Sequence, residues 1–196
     1  MQETLTEKQS LSIIHEMINK AKNQFSEDGT LYLLWGWVIL FCSLAHFILD
    51  VVVQYNKPWS VWAVTWLVAI YMIIYQRRKD RAREVRTYTE ELLGYVWLTF
   101  VIMILISFFL LQKFIPEFWK YNYMFILLCY GMPTFLSGII LKFRLLVLGG
   151  VFCWVLALCC GFVNFHYHPL FVSTAVIVAW IIPGYHLRAR FKKEMK

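Results

Sequence analysis

An imidazole and a carboxylate stand four residues apart in an otherwise apolar stretch, AHFILDVVV, at positions 45–53. Residues with this spacing stack on one face of a helix, so His46 and Asp50 would point the same way. A charged group within an apolar segment is costly, and it usually has a function or a specific partner. Ser43 and Gly36 continue the same stripe, which indicates a face turned towards other helices.

Two further histidines, His166 and His168, lie in the connection NFHYHPLF, and the topology derived below places them at the same end as Asp50. His46, Asp50, His166 and His168 therefore form a candidate outer-face polar site. One interpretation is an interfacial carboxylate that hydrogen-bonds His46 and stabilises a helical bundle. The other is a cup for a proton or a divalent metal ion, since imidazole and carboxylate together suit zinc-like ions. The spacing matches no known metal motif, so we predict no resident metal and no cofactor.

Motifs for established chemistries are absent from the sequence. It contains no G-x-x-x-x-G-K-[ST], G-x-G-x-x-G or H-E-x-x-H pattern, and no G-x-S-x-G elbow. Asp50 is the only acid within any apolar span, which leaves little material for a paired-carboxylate mechanism. We therefore predict that the protein is not an enzyme.

The composition is that of an integral membrane protein. Of 196 residues, 60% are hydrophobic and 16% are charged, whereas soluble domains are about 45–50% apolar and about 25% charged. Nine Trp, eleven Tyr and sixteen Phe strengthen this interpretation, because aromatic rings favour the membrane interface.

Six runs are long and apolar enough for membrane spans, which need about 17–25 residues. They cover 31–53, 59–75, 94–111, 121–141, 145–163 and 169–187. Pro133 and Pro183 interrupt the fourth and sixth runs. The predicted fold is thus an all-α integral membrane protein with a six-span domain over 31–187.

The distribution of Lys and Arg predicts the orientation of these spans. Sixteen of them fall on the side of the two termini and only three on the other side, at Lys57, Lys113 and Lys120. Cytoplasmic segments carry such an excess of cations. We therefore predict a multi-pass protein of the cell (inner) membrane, with both termini and a basic tail, 188–196, in the cytoplasm.

The spans show signs of a repeat. GWV, GYV and GGV begin the odd spans at Gly36, Gly94 and Gly149. We interpret the chain as three helical hairpins of about 55 residues, with coincidence in an apolar sequence as the alternative. Gly149, Cys153, Ala157 and Gly161 recur every four residues and would allow close helix packing, either within the chain or in a homo-oligomer.

Residues 1–30 are predicted to form an amphipathic cytoplasmic helix and a turn. Apolar side chains at helical spacing would make a docking face for the bundle or for a cytosolic regulatory protein. These side chains are Ile14, Met17, Ile18 and Phe25.

A basic patch follows the second span. It comprises Arg77, Arg78, Lys79, Arg81 and Arg83. The main interpretation is a topology signal, and the functional alternative is a surface for membrane lipids or a partner. We predict no nucleic-acid binding, because no recognisable module accompanies these bases.

Four segments together resemble a family of small bacterial six-span membrane proteins of uncharacterised function. They are SLSIIHEMINKAKNQFSEDGTLYLLWGW, YGMPTFLSGIILKF, GGVFCWVLAL and WIIPGYHLR. Proteins of this kind can be encoded near small winged-helix regulators, so the resemblance implies regulation or sensing. It assigns no functional residue.

Two functions remain open at this point. The first is a non-catalytic module that senses or signals to, or anchors, a cytosolic partner. The alternative is a small oligomeric transporter or channel for an ion or small solute, for which the proline-broken spans and the ionisable pair are the evidence.

Overall fold

A computed structural model describes residues 29–81 and 88–194, without the side chains of 78–81 and 194. This part of the chain is all-helical. Helix α1 covers Thr30–Phe47 and continues as a π-helical turn over Ile48–Val52. A 3-10 turn at Pro58–Trp62 leads into α2, Ala63–Arg81. Helix α3 covers Tyr88–Phe114.

The second half of the chain continues the same pattern. After a 3-10 turn at Phe118–Lys120 come α4, Asn122–Ile140, and α5, Arg144–Cys160. The last segment starts with a 3-10 turn at Phe165–Tyr167. It proceeds through α6, His168–Val176, a π-helical turn at Ile177–Ile181, and α7, Ile182–Glu194. The second π turn lies just before Pro183, whose missing N–H breaks the regular hydrogen-bond ladder.

Five helical segments in the described part are long and apolar enough to cross a membrane: Thr30–Val52, Pro58–Arg77, Tyr88–Phe114, Asn122–Ile140 and Phe165–Lys193. Helix α5 is apolar but shorter, at 17 residues. The sequence therefore located the apolar helices, and the claim that all six of them cross a bilayer stays a prediction. The second helix runs on to Arg81 and the third begins at Tyr88, because polar residues extend both beyond their apolar runs.

Helices α1, α4 and α5 and the α6–α7 segment form the core, and small residues allow their close approach. A Cβ added to Gly149 would lie 2.7 Å from Ala179 Cα, and one added to Gly36 would lie 2.7 Å from an Ile181 side-chain atom. Cys153 and Ala157 are also buried, whereas Gly161 is exposed. Most of the predicted small-residue stripe thus faces helices of the same chain.

The tightest pair in this core is α4 with α5, which a turn at 141–143 connects. This pair joins the second predicted hairpin to the third, so the hairpins are not three equivalent packing units. The turn places Lys142 in the left-handed region, at φ 50°. Phe143 N donates to Gly138 O at 2.8 Å and closes the end of α4.

Helices α2 and α3 lie at the edge of the bundle, and only 6% of the apolar window of each is buried. Aromatic contacts attach α3, with ring centroids 5.9 Å apart for Trp97 and Trp180 and 5.8 Å apart for Phe100 and Tyr130. Many of their other large apolar side chains are exposed, among them Leu67, Ile106 and Phe109, whereas Met72 and Leu93 are buried.

Two sets of sequence predictions fall partly or wholly outside the described residues. The N-terminal docking face, Ile14, Met17, Ile18 and Phe25, lies wholly outside them, as does Arg83. Arg77 is exposed near the end of α2. Arg78, Lys79 and Arg81 belong to the backbone of the same helix, and their side chains are outside the description.

Candidate polar site at the His166 end of the bundle

The connections 53–57, 115–121 and 161–167 meet at one end of the bundle, which we call the His166 end. Aromatic rings are concentrated there. The rings of Trp119 and Phe165 pack edge to face with centroids 5.0 Å apart, and the rings of Phe47 and Tyr167 are 6.0 Å apart. The first contact joins the connections 115–121 and 161–167 to each other, and the second holds the connection 161–167 against the end of α1.

Asp50 and His166 form a short polar contact at this end. Asp50 Oδ2 lies 2.6 Å from His166 Nδ1, and the two side chains are 22% and 44% exposed. The π turn at Ile48–Val52 presents the carboxylate, and Asn164 Oδ1 accepts a hydrogen bond from the backbone N of His166 at 3.2 Å. Two of the four predicted site residues are thus brought together, across 116 positions of sequence.

His46 has different partners from those expected. Its Nδ1 lies 3.1 Å from Trp62 Nε1 and 3.0 Å from Tyr123 OH, and these two atoms are themselves 3.0 Å apart. Because an indole N–H can only donate, Trp62 is a donor to this cluster. The predicted His46–Asp50 hydrogen bond is therefore wrong. The physical reason is the π turn, which changes the angular offset that regular α-helix would have given these two residues.

His168 belongs to neither group. Its Nε2 lies 2.8 Å from Cys160 O and 3.1 Å from Val163 O, and a ring N–H can donate to both of these carbonyls. The side chain is 4% exposed, and its Nδ1 is buried without a hydrogen-bond partner. His168 thus links the end of α5 to the start of α6, and we call this contact the clasp. The four residues predicted to form one site therefore lie in three separate groups, which are the Asp50–His166 pair, the His46 cluster and the clasp.

The separation of these side chains affects which ligands this end of the bundle could hold. In the described ranges, 29–81 and 88–194, no three His, Cys, Asp or Glu side chains are placed to hold a metal ion together. A half-open cavity of about 250 Å³ lies beside the clasp, lined by Lys120, Tyr121, Met124, Asn164, Phe165 and His168 among others. Lys120 Nζ is paired with Glu117 Oε2 at 2.7 Å.

Two polar links cross the interior of the bundle. Ser43 Oγ lies 2.7 Å from Ser173 Oγ, with both side chains buried, and this link joins α1 to α6. Trp180 Nε1 donates to Thr134 Oγ1 at 2.9 Å, which ties the second π turn to α4. The expectation that Ser43 and Gly36 face the bundle is confirmed.

Trp62 and Tyr123 were not predicted as partners of His46. Each is an aromatic residue with a polar group near the start of a predicted span, a position that usually indicates only a membrane-interface anchor. Nothing in the sequence distinguishes them from the other interfacial rings, because their contact with His46 depends on how three separate helices pack.

Profiles of known protein families, curated proteins and solved structures provide no match to this chain. The resemblance to bacterial six-span proteins therefore stays a prediction.

Proposed function

We propose that this protein crosses the cell membrane six times, with both termini in the cytoplasm, and acts there as a non-catalytic module. In this proposal it senses or signals to, or anchors, a cytosolic partner. The five long apolar helices support membrane insertion, and so do the apolar side chains that α2 and α3 turn away from the core.

One observation carries the proposal: α1 lies along the α6–α7 segment from one end of the bundle to the other. Contacts follow in order along this seam, from Asp50–His166 through Ser43–Ser173 and Gly36–Ile181 to Gly29–Gly184. A change at the Asp50–His166 pair would act on the same two helices whose other ends lead to the predicted cytoplasmic segments. Coupling between distant sites is carried by packed and hydrogen-bonded contacts of this kind, so this seam is the proposed path between the two sides.

The test is a pull-down from native membranes with the tagged full-length chain. We expect a soluble protein to be recovered in stoichiometric amount. Substitution of Ile14, Met17, Ile18 and Phe25 by Ser should remove it, while the chain stays in the membrane fraction. Substitution of four polar neighbours, Glu16, Asn19, Lys20 and Asn23, is the matched control and should keep the partner. Recovery of no stoichiometric protein would contradict the anchoring function.

Transport is the second candidate, and a specific observation favours it. The His46 cluster and the Asp50–His166 pair place two ionisable groups four residues apart, His46 near the end of α1 and Asp50 in the π turn that follows it. Broken helices with polar groups beside them occur at the sites of many transporters. Movement of an ion or solute into proteoliposomes, abolished by Asp50→Asn, would favour this function over anchoring. Absence of flux for all ions and solutes tested would argue against it.

A further inference from the structure

The end of the bundle opposite to His166 is strongly cationic. We call it the Arg144 end, because α5 begins there. Its described side chains include seven exposed Lys and Arg residues: Arg77, Lys142, Arg144, Arg188, Arg190, Lys192 and Lys193. Only Glu90 and Glu91 oppose them among the described acids, and Glu91 accepts a hydrogen bond from Tyr95 OH at 3.1 Å.

The His166 end has a different balance of charge. Lys57, Lys113 and Lys120 are its described cations, and Asp50 and Glu117 are its described acids. Lys120 is already paired with Glu117. A molecule that carries negative charge would therefore be attracted to the Arg144 end and much less to the His166 end.

The cations at the Arg144 end lie directly beside exposed apolar surface. Leu148, one helical turn from Arg144, is 62% exposed, and Ile139, three residues before Lys142, is 53% exposed. Tyr185, three residues before Arg188, is 52% exposed. Side chains three or four apart share a helix face, so Arg144 and Arg188 each lie next to an exposed apolar side chain of their own helix, which we call an apolar shoulder. Lys142 lies in the turn that follows α4, two residues before Arg144.

We propose that Lys142, Arg144 and Arg188 form a binding surface for the headgroups of anionic phospholipids. A phospholipid has its phosphate next to its acyl chains, and this arrangement matches a cation above an apolar shoulder. Long cationic side chains at such a level reach the headgroups while their stems stay on apolar surface. An acidic soluble protein would meet the same charges but would leave the apolar shoulders uncovered. This inference rests on the membrane location in the proposed function.

The test measures lipid retention on the purified full-length chain by native mass spectrometry. Phosphatidylglycerol competes with phosphatidylcholine of the same acyl chains at equal concentration. One cation near an anionic surface contributes roughly a fivefold gain in affinity, so we expect phosphatidylglycerol to be retained at least tenfold better. High salt should reduce this preference, because it screens exposed charges.

Two matched variants locate the preference. Lys142→Gln, Arg144→Gln and Arg188→Gln together should bring the ratio close to one. Lys57→Gln, Lys113→Gln and Lys120→Gln remove the same charge from the His166 end and should leave the ratio unchanged. A third variant, Lys142→Arg, Arg144→Lys and Arg188→Lys, keeps the charge and should keep the preference, which separates loss of binding from loss of folding.

Several outcomes would overturn the inference, and they separate it from the proposed function. Equal retention of both lipids by the native chain, or equal loss in the first two variants, would remove the lipid surface alone. So would a first variant that keeps the lipid preference but loses the cytosolic partner, because these cations would then serve the protein. A chain that alkaline carbonate washes from membranes would overturn both the lipid surface and the proposed function.

Discussion

Asp50 Oδ2 lies 2.6 Å from His166 Nδ1, and this contact joins the end of α1 to the connection before α6. Asp50 is the one acid that the sequence places inside an apolar span, so the cost of burying its charge depends on the group with which it pairs. The partner is a histidine from the far end of the chain, not the histidine one helical turn away. The pair therefore fastens the first helix to the last helical segment at their shared end.

A double-mutant cycle on Asp50→Asn and His166→Gln measures what this contact contributes. We expect a coupling of about 1 kcal/mol in the free energy of unfolding, because the pair is only partly shielded from solvent. Unfolding in mixed detergent micelles gives the values. The same cycle on Glu117 and Lys120, an exposed pair three residues apart, should give at most about 0.5 kcal/mol. Equal coupling in the two pairs would show that the Asp50–His166 contact has no special role.

Thr134 is the acceptor for the buried indole N–H of Trp180. Thr134→Val keeps the size of the side chain but leaves that N–H without a partner, which should cost about 1–3 kcal/mol of stability. Thr174→Val is the control, since Thr174 is exposed and donates only to Leu170 O within its own helix. Its effect should stay within about 0.5 kcal/mol. A neutral Thr134→Val would mean that Trp180 finds another acceptor.

Gly149 marks the closest approach of α5 to the second π turn. An added Cβ would lie 2.7 Å from Ala179 Cα, a backbone atom that cannot move without shifting its helix. Gly149→Ala should therefore destabilise the protein by about 1–3 kcal/mol. Gly94→Ala meets nothing within 4 Å and should gain up to about 1 kcal/mol from its better helix propensity. Thermal unfolding of both variants checks these opposite signs, and the same sign for both would contradict this packing.

Lys142 adopts a left-handed conformation in the turn between α4 and α5, at φ 50°. Glycine has no Cβ penalty there, so Lys142→Gly should raise the stability by about 1 kcal/mol. Lys142→Ala removes the same charge and retains the penalty, so it should give no such gain. Equal effects of the two substitutions in unfolding experiments would attribute the change to charge and not to the backbone.

The apolar helices could be located from the sequence because the hydrophobicity and length of each segment are properties of that segment alone. The helix ends were predicted less accurately. Helix α3 begins six residues before the predicted span at 94, because acidic residues such as Glu90 and Glu91 are stabilising near a helix N-terminus. The small residues Gly36 and Gly149 correctly indicated close packing, since only small side chains allow it.

The candidate site was predicted only in part. Asp50 and His166 were both named, but the pairing of His46 with Trp62 and Tyr123 depends on three helices meeting, which sequence spacing does not encode. The π turn at Ile48–Val52 has no signal such as proline within it. Asp50, which lies in this turn, pairs with His166 and not with His46, so regular helical spacing predicted the wrong partner.

In the proposed topology, the His166 end and the Arg144 end lie on opposite sides of the membrane. Reporter fusions after residue 84 and after residue 166 test it most directly, because one reporter is active only in the cytoplasm and the other only outside it. We predict that the fusion at 84 reports the cytoplasm and the fusion at 166 reports the outside. The same location for both fusions would contradict the six-span topology, and with it a seam that connects the two sides of the membrane.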